Sequence, residues 1–383
     1  MNVYLDNSAT TKPCPAVAAA VGKLMEGGWY NPSALYKPAM EIQKQMDRTR
    51  EVCLQAAGAA GQRVLFTSGG TEADNLALLG HLKTRRAPGK VLISSVEHPA
   101  VSACAEEIRH MGFETETIPA GKDGRIDPAV LENLLDEKTV LISVMQVNNE
   151  TGAAEPLDEI ARLRDRKAPG AAIHVDGVQG FLRMSIDFNR LGIQSYAFSG
   201  HKIHGLKGTG ALILRKDHAV RPLLYGGGQE GNLRSGTENT FGILALGEAI
   251  AAWEPEATAR MRTLTTRLRS GLTERIPTAA VNGPAESPET CAPHILNVAM
   301  PPVRSQTMLF ALEGDGIYVS AGSACASRKQ KISPVLRAMG VSTEQADCSL
   351  RFSLCPMTTE EEIDYTIERV FTQWEMLKKF TRR

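Results

Sequence analysis

No stretch of this 383-residue chain comes near the ~18 consecutive apolar residues that a membrane-spanning helix needs. The opening MNVYLDNSATT lacks a basic region followed by an apolar run, so no secretory leader is expected. Neither sign of charge is in excess. The 43 Lys and Arg balance the 43 Asp and Glu, which removes the electrostatic case for a nucleic-acid or membrane-surface partner. The seven cysteines are odd in number and contain no C-x-x-C pair. That argues against a disulfide framework and a metal site of the zinc type, and for a reducing, cytoplasmic setting. A G-x-x-x-x-G-K-[ST] loop is missing as well, which excludes a P-loop for nucleoside triphosphates. Internal repeats and low-complexity segments are likewise absent.

What remains is an ordinary globular composition, 43% hydrophobic and 22% charged, long enough for one large and one smaller folded unit. Through about residue 215, short β-rich runs alternate with helical patterns. Strands are expected at Val64–Ser68, Lys90–Ser95, Thr115–Ile118, Val140–Val144, Ala172–Asp176, Ser195–Phe198 and Gly210–Leu214. Helices are expected at Pro38–Ala57, Thr71–Leu82, Ala100–Met111, Pro128–Leu135 and Pro156–Arg166. Asp127-Pro128 reads as an N-cap followed by a first-turn proline. Nearly continuous apolar strands between helices predict an α/β fold with a mostly parallel central sheet covered on both faces. Beyond Phe241 the chain turns more helical, and a last helix is expected after Thr358-Thr359, with Glu360, Glu361 and Glu362 on its positive end. The expected division is a large unit over 16–255 and a small α/β unit over 256–383, with residues 1–15 packing on the latter. Val21–Tyr36, rich in glycine and turn residues, is expected to line the site.

Five segments carry chemistry. Ser68-Gly69-Gly70-Thr71-Glu72 joins a strand to a helix, where backbone N–H groups favour a phosphate; the alternative is a plain tight turn with a threonine cap. IHVDGVQ ends a buried strand with Asp176 and Gln179, and 26 residues beyond Asp176 FSGHKIHG presents Lys202. An acid at a strand end and a lysine in a Ser/His/Gly turn suit pyridoxal phosphate: the lysine forms a Schiff base and the carboxylate keeps the pyridine nitrogen protonated. Glu97-His98-Pro99 follows a strand, so His98 falls at the carboxyl edge of the sheet, where it can stack on a flat ring and move protons. Asn148-Asn149-Glu150-Thr151-Gly152 offers amides to a phenolate or a substrate carboxylate, or is an Asn-rich turn. Cys325 lies in a small-residue, basic segment, Ser320 to Lys331, ahead of a helix opened by Ser333-Pro334. Arg328, Lys329 and Lys331 favour its thiolate, whereas Cys53 and Cys104 sit in helical patterns as core thiols. Arg351, within Ser349-Leu350-Arg351-Phe352-Ser353, is either a fork for an amino-acid carboxylate or half of a structural ion pair.

Taken together, YLDNSATT, NPSAL (31–35), TSGGTEADN, EHPAV, NNETG, HVDGVQ, SGHKIHGLKGTGAL, GGGQEGNLRSGTEN, SAGSAC and SLRFSL resemble the class I cysteine desulfurases of the class V aminotransferase family, nearly end to end. The resemblance implies the type I pyridoxal-phosphate fold and a homodimer. The activity implied is conversion of L-cysteine to L-alanine with the sulfur passed to Cys325 as a persulfide, for a sulfur-acceptor protein in cluster assembly or thiolation. It implies Lys202 as the Schiff-base lysine, Asp176 at the ring nitrogen, His98 stacked on the ring and Gln179 at the phenolate oxygen. Gly70, Thr71, Ser199 and His201 would hold the phosphate, with Thr237 reaching in from the other subunit. Arg351, Asn149 and Asn31 would bind the substrate carboxylate. Selenocysteine lyase or aminotransferase chemistry on the same fold is the alternative. The sequence departs from the usual pattern at Tyr36, where many relatives have histidine, and at Cys355-Pro356, where many have Gly-Arg.

Overall fold

The computed structural model describes residues 1–321 and 332–380. Cys325, with Arg328, Lys329 and Lys331, therefore lies outside the described residues. The strands in chain order are β1 (Val3–Tyr4), β2 (Arg63–Thr67), β3 (Lys90–Ser94), β4 (Glu114–Ile118), β5 (Thr139–Met145), β6 (Ala172–Asp176), β7 (Ser195–Ser199), β8 (Gly210–Leu214), β9 (Ala280–Val281), β10 (Ile295–Ala299), β11 (Ile317–Tyr318) and β12 (Ser349–Ser353). The expected mostly parallel sheet is present, in the order β2-β8-β7-β6-β5-β3-β4. Only β8 runs against its neighbours β2 and β7, so the other six strands end at one edge. Every residue of β5, β6, β7 and β8 is buried, as a sheet covered on both faces requires.

A second body of structure is built on the antiparallel sheet β12-β10-β9. The helices Ala257–Arg275, Ser305–Gly314 and Glu360–Leu377 pack with it through Leu264, Leu268, Met308, Leu312, Ile363 and Val370. The last helix starts as expected: Thr359 accepts from the Glu362 N–H and Glu362 reaches back to the Thr359 N–H, a complete capping box. The chain start joins this body. Val3 and Leu5 lie in its core, β1 pairs with β11, and Asp6 bridges to Ser353. Residues 3–9 thus run along the small sheet and arrive at the carboxyl edge of the large one.

Two local expectations are corrected. Pro15–Gly27 forms a helix with Pro at its first position, burying Val17 against the large core and packing Val21 and Leu24 beside it. Gly22, with open space where a Cβ would stand, does not break it. Within one chain none of Val21–Tyr36 lines the cavity, and over Pro15–Gly27 the apolar alanine-rich face outweighs the glycines that read as turn. The helix expected over Ala100–Met111 is split at Ala103 into Pro99–Ser102 and Cys104–His110, although Ala103 keeps helical dihedrals.

Candidate active site

A cavity of about 300 Å³ opens at the carboxyl edge of the large sheet. Its wall is assembled from the turns that follow five parallel strands: Gly70 and Thr71 after β2, Glu97 and His98 after β3, Asn149 after β5, Asp176 and Gln179 at the end of β6, and Ser199, His201 and Lys202 from β7. Ser8, Ala9 and Arg351 close it from the small sheet, with Pro334 and Val335 at another side. Carboxyl-edge placement follows from topology, since side chains on these turns have no further strand to cover them.

The phosphate-type turn leads into the helix Gly70–Leu82. A Cβ on Gly70 would stand 2.6 Å from Val178 Cγ2, so only glycine fits. Ser199 Oγ lies beside this helix start, 3.8 Å from where a Cβ on Gly69 would be, buried and without a partner. Thr71 is exposed at the mouth, and His201 Nδ1 meets Thr10 Oγ1 at 3.1 Å. Asp176 Oδ1 accepts from the Val178 N–H at 2.9 Å. Gln179 Nε2 donates to the Ser8 carbonyl at 2.9 Å. His98 caps its own short helix, Nδ1 accepting from the Ala100 N–H at 3.1 Å, which leaves Nε2 as the proton-bearing nitrogen. Lys202 Nζ donates to the carbonyls of Ser8 at 2.6 Å and Ala9 at 2.8 Å.

Arg351 is 2% exposed on β12. Both readings of it have a physical basis. Nη2 is paired with Asp6 Oδ1 at 2.7 Å and Nη1 donates to the Asn149 carbonyl at 2.9 Å, while Nε is buried with no partner. The Asn pair separates in role. Asn148 is fully buried and spends its amide holding the turn, Oδ1 accepting from the N–H groups of Glu150 and Thr151 and Nδ2 donating to the Val96 carbonyl. Only the Asn149 side chain is left for a ligand. Asn31 and Thr237 are exposed and do not line the cavity within one chain; Asn31 Oδ1 caps its own turn through the Ser33 N–H.

The aminotransferase class-V family model matches residues 3–366. The chain is 38% identical to the cysteine desulfurase IscS of Pectobacterium carotovorum subsp. carotovorum (strain PC1), across 98% of this chain and 96% of that protein. It is also 38% identical to the cysteine desulfurase IscS of Methanosarcina thermophila, across 96% and 91%. A solved NifS-like protein superposes with a TM-score of 0.91 at 32% identity, covering 98% of this chain and 100% of that one. SspA in complex with cysteine gives 0.82 at 28% identity, covering 94% and 100%. The chain belongs to the cysteine desulfurases of aminotransferase class V.

Electrostatics in this desulfurase follow from burial. The Lys202 amine is pushed down to about 8 by desolvation, then by the cations of Arg351 and Arg183. Burial lowers His98 too, with Asp176 pulling the other way. His201 is brought down to about 4 by burial and by Lys202. The Asp176 carboxyl is raised by burial, opposed by its bond from Val178. Three further acids, Asp74, Glu97 and Glu150, share the wall and were not singled out from sequence. Glu97 is raised to about 8 by burial and by Asp176, with Oε1 taken by Ser94 and the Met145 N–H and Oε2 unpartnered. Asp74, raised well above the usual range by burial, meets His174 Nε2 at 3.1 Å. Its signal was helical spacing, since Asp74 falls one turn beyond Gly70 on the same face. Ser8 and Ala9 were also missed as wall residues, and Asp6 as the partner of Arg351, though all three lie in the YLDNSATT motif.

Among the described residues no group of three or more His, Cys, Asp and Glu is arranged to hold a metal, and no helix is long and apolar enough to cross a membrane.

Proposed function

We propose that this desulfurase binds pyridoxal phosphate in the carboxyl-edge cavity and moves the sulfur of L-cysteine to Cys325, leaving L-alanine. The family is pyridoxal-phosphate-dependent, and the wall suits that group. A glycine-only helix start and the unpartnered Ser199 hydroxyl suit a phosphate, a buried carboxyl suits a ring nitrogen, and an amine with only carbonyl partners suits an aldehyde. Gly70, Thr71, Ser199 and His201 would hold the phosphate, Asp176 the ring nitrogen, Gln179 the phenolate oxygen and Lys202 the aldehyde carbon. When bound, the cofactor supplies an electron sink for charge developing at the substrate's α-carbon.

The chain's own residues do the rest. Arg351 and Asn149 orient the substrate carboxylate. Arg351 does so through the Nε edge left over from its pairing with Asp6. Lys202, brought down to about 8 by burial, and His98, also lowered by burial, exchange the α-proton and deliver a proton to the β-carbon. The Cys325 thiolate attacks the substrate sulfur. The substrate's C–S bond breaks as the S–S bond forms, so L-cysteine and one thiol become L-alanine and one persulfide. Thr237, exposed here, would complete the phosphate site from the partner subunit of a homodimer. Exposed Trp29, Leu35 and Tyr225 are apolar surface for such a pairing.

The observation that carries this reading is where the residues that flank the Cys325 segment stand. Ser320, just before it, exchanges backbone hydrogen bonds with Arg351, of 2.8 and 3.2 Å. Ser333, just after it, donates to Glu150 Oε2 at 2.5 Å, and Pro334 and Val335 line the cavity. Both flanks stand at the wall that holds Lys202. Purified protein given pyridoxal phosphate, L-cysteine and a reductant should yield alanine and sulfide in equal amounts. Brief exposure without reductant should add one sulfur to the peptide carrying Cys325. Cys325→Ala should keep its cofactor and its spectral response to cysteine, yet release alanine slower by orders of magnitude. Near-normal turnover in that variant would make the enzyme a lyase that expels sulfide without a protein nucleophile.

A further inference from the structure

Arg183 is the largest fully buried side chain of the chain's described residues, and it has no counter-ion. A lone buried guanidinium is costly, so its persistence calls for a reason. Nη2 donates to the backbone carbonyl of Lys202, while Nε and Nη1 have no partner at all. The remaining surroundings are the Trp253 ring, 5.7 Å from the guanidinium carbon, with Tyr196, His204, His294 and Cys355 as the nearby titratable groups. None of them is a carboxylate. Burial brings the guanidinium down to about 10, which still leaves it a cation at neutral pH.

The backbone is strained on both sides of this contact. Leu182, which precedes Arg183, has a φ of 66°, and His204, two residues beyond Lys202, has a φ of 67°. Leucine and histidine occupy the left-handed region at a cost that the rest of the fold must offset. The strain at Leu182 belongs to a turn, 177–184, that follows directly from Asp176, so the ring-nitrogen carboxylate and the Arg183 cation share one short segment. Arg183 itself does not line the cavity; it stands behind Lys202.

We propose that Arg183 is a positioning residue for Lys202: its uncompensated charge and its bond to the Lys202 carbonyl favour the uncharged, nucleophilic form of the amine. This rests on the reading of Lys202 as the cofactor lysine. The groups facing Lys202 are the cations Arg351 and Arg183, the carboxylates Asp6 and Asp176, and the two histidines His98 and His201. Arg351 is ion-paired with Asp6 at 2.7 Å, whereas Arg183 has no carboxylate partner among the described residues. A cation that no carboxylate cancels is less screened toward its neighbour than a paired one at the same distance. Lowering the proton affinity of an amine by a neighbouring cation is a known route to a reactive lysine.

The test reads the amine directly. Full-length chain stripped of cofactor is acylated with acetic anhydride across a pH series, and labelling of Lys202 is followed by peptide mass spectrometry. In the unmutated chain Lys202 should be half-labelled near pH 8, below the exposed lysines. Arg183→Met should raise that midpoint by about one pH unit or more. Arg183→Lys, which keeps the charge and loses the fork, should hold it near the unmutated value. With cofactor bound, the pH midpoint of the yellow absorbance should move in the same order across the three proteins. An unchanged Lys202 midpoint in folded Arg183→Met overturns the proposal, as does an unmutated Lys202 that titrates with the exposed lysines. Should Arg183→Met not fold, Arg183→Lys decides: a midpoint that stays low supports the role of the charge, and one that climbs to the exposed lysines ends it. Labelling needs no cofactor, so failure here leaves the proposed function standing, and that reading falls separately if Lys202→Ala keeps a borohydride-reducible link to the cofactor.

Discussion

Two lysines, Lys90 buried and Lys202 half-buried, stand at opposite edges of the large sheet, and their surroundings differ in kind. Lys90, at the start of β3, gives its ammonium to Asp136 at 2.7 Å and to the Leu134 carbonyl at 2.5 Å, with Glu116 at 3.6 Å. Lys202, just past the end of β7, has two carbonyls and no carboxylate within ion-pair distance among the described residues. The arginines repeat the contrast. Arg164, 4% exposed, satisfies its donors with Asp165, Gln194 and the carbonyls of Ala171 and Gly192. Arg351 and Arg183 keep bare N–H groups. A buried cation with complete partners is an anchor. One left incomplete stores electrostatic potential that a substrate, a cofactor or a neighbouring amine can use.

The widest gap should open between Lys202→Ala and Lys90→Met. The first should remove the yellow absorbance and all alanine formation. The second should keep both and lower the unfolding free energy by about 1–3 kcal/mol for the bonds left unmade, read by denaturant titration. Loss of cofactor from Lys90→Met would erase the distinction between the two edges. Next in size is Arg351→Ala. Losing a buried charged grip should weaken L-cysteine binding by about 2–5 kcal/mol, read as a rise in KM with cofactor retained. Arg164→Ala should leave KM alone and lower only Tm. An unchanged KM in Arg351→Ala would reduce Arg351 to the ion pair with Asp6.

A smaller effect concerns Glu97. Its folded-state value of about 8 lies above the ordinary carboxylate value of 4.5. Between those values the unfolded chain has released the proton and the folded chain still holds it. Stability is therefore fully present at acid pH and falls as pH rises through that window, by at most ~1.4 kcal/mol per pH unit for this group. Glu97→Gln, which cannot ionise, should show a shallower loss of Tm between pH 5 and pH 8 than the unmutated protein. Equal slopes would mean that Glu97 ionises in the fold as it does in solution. Smallest of all should be Cys355→Ser. Cys355 is buried, its N–H donates to Thr358 Oγ1 at 3.0 Å, and its thiol accepts from the same hydroxyl at 3.6 Å. Most activity should survive, whereas a large loss would assign Cys355 a part in relaying sulfur.

Much of this architecture is readable from local pattern. The strands Ala172–Asp176 and Gly210–Leu214 have the expected limits, because a run of buried apolar residues bounded by turn residues has few other solutions. Asp127, Ser333 and Thr359 cap the helices that their sequences announce. Of the residues marked for chemistry, Gly70, Thr71, His98, Asn149, Asp176, Gln179, Ser199, His201, Lys202 and Arg351 line one cavity, from segments up to 281 positions apart (70 to 351). Motif spacing carried that information for all but Arg351, since each of the other motifs follows a strand of the large sheet at the same edge, whereas Arg351 comes from within β12. The helix over Pro15–Gly27 was hidden by glycines that it tolerates on an open face. The sorting of Asn148 from Asn149 could not be read, because it depends on which amide the turn itself consumes.

By itself, the sequence determined which segments become strands and helices and which residue types meet at the carboxyl edge. Periodicity, caps and turn residues act over a few positions, and topology then sends every strand-end motif to one side. Only the tertiary structure decided which buried charges are answered. Asp6 reaches Arg351 across 345 positions, whereas no carboxylate among the described residues pairs with Arg183. The physical reason is that desolvation and ion pairing depend on everything within a few ångströms, whatever its place in the chain, so a residue's partners and its proton affinity are properties of the packed interior.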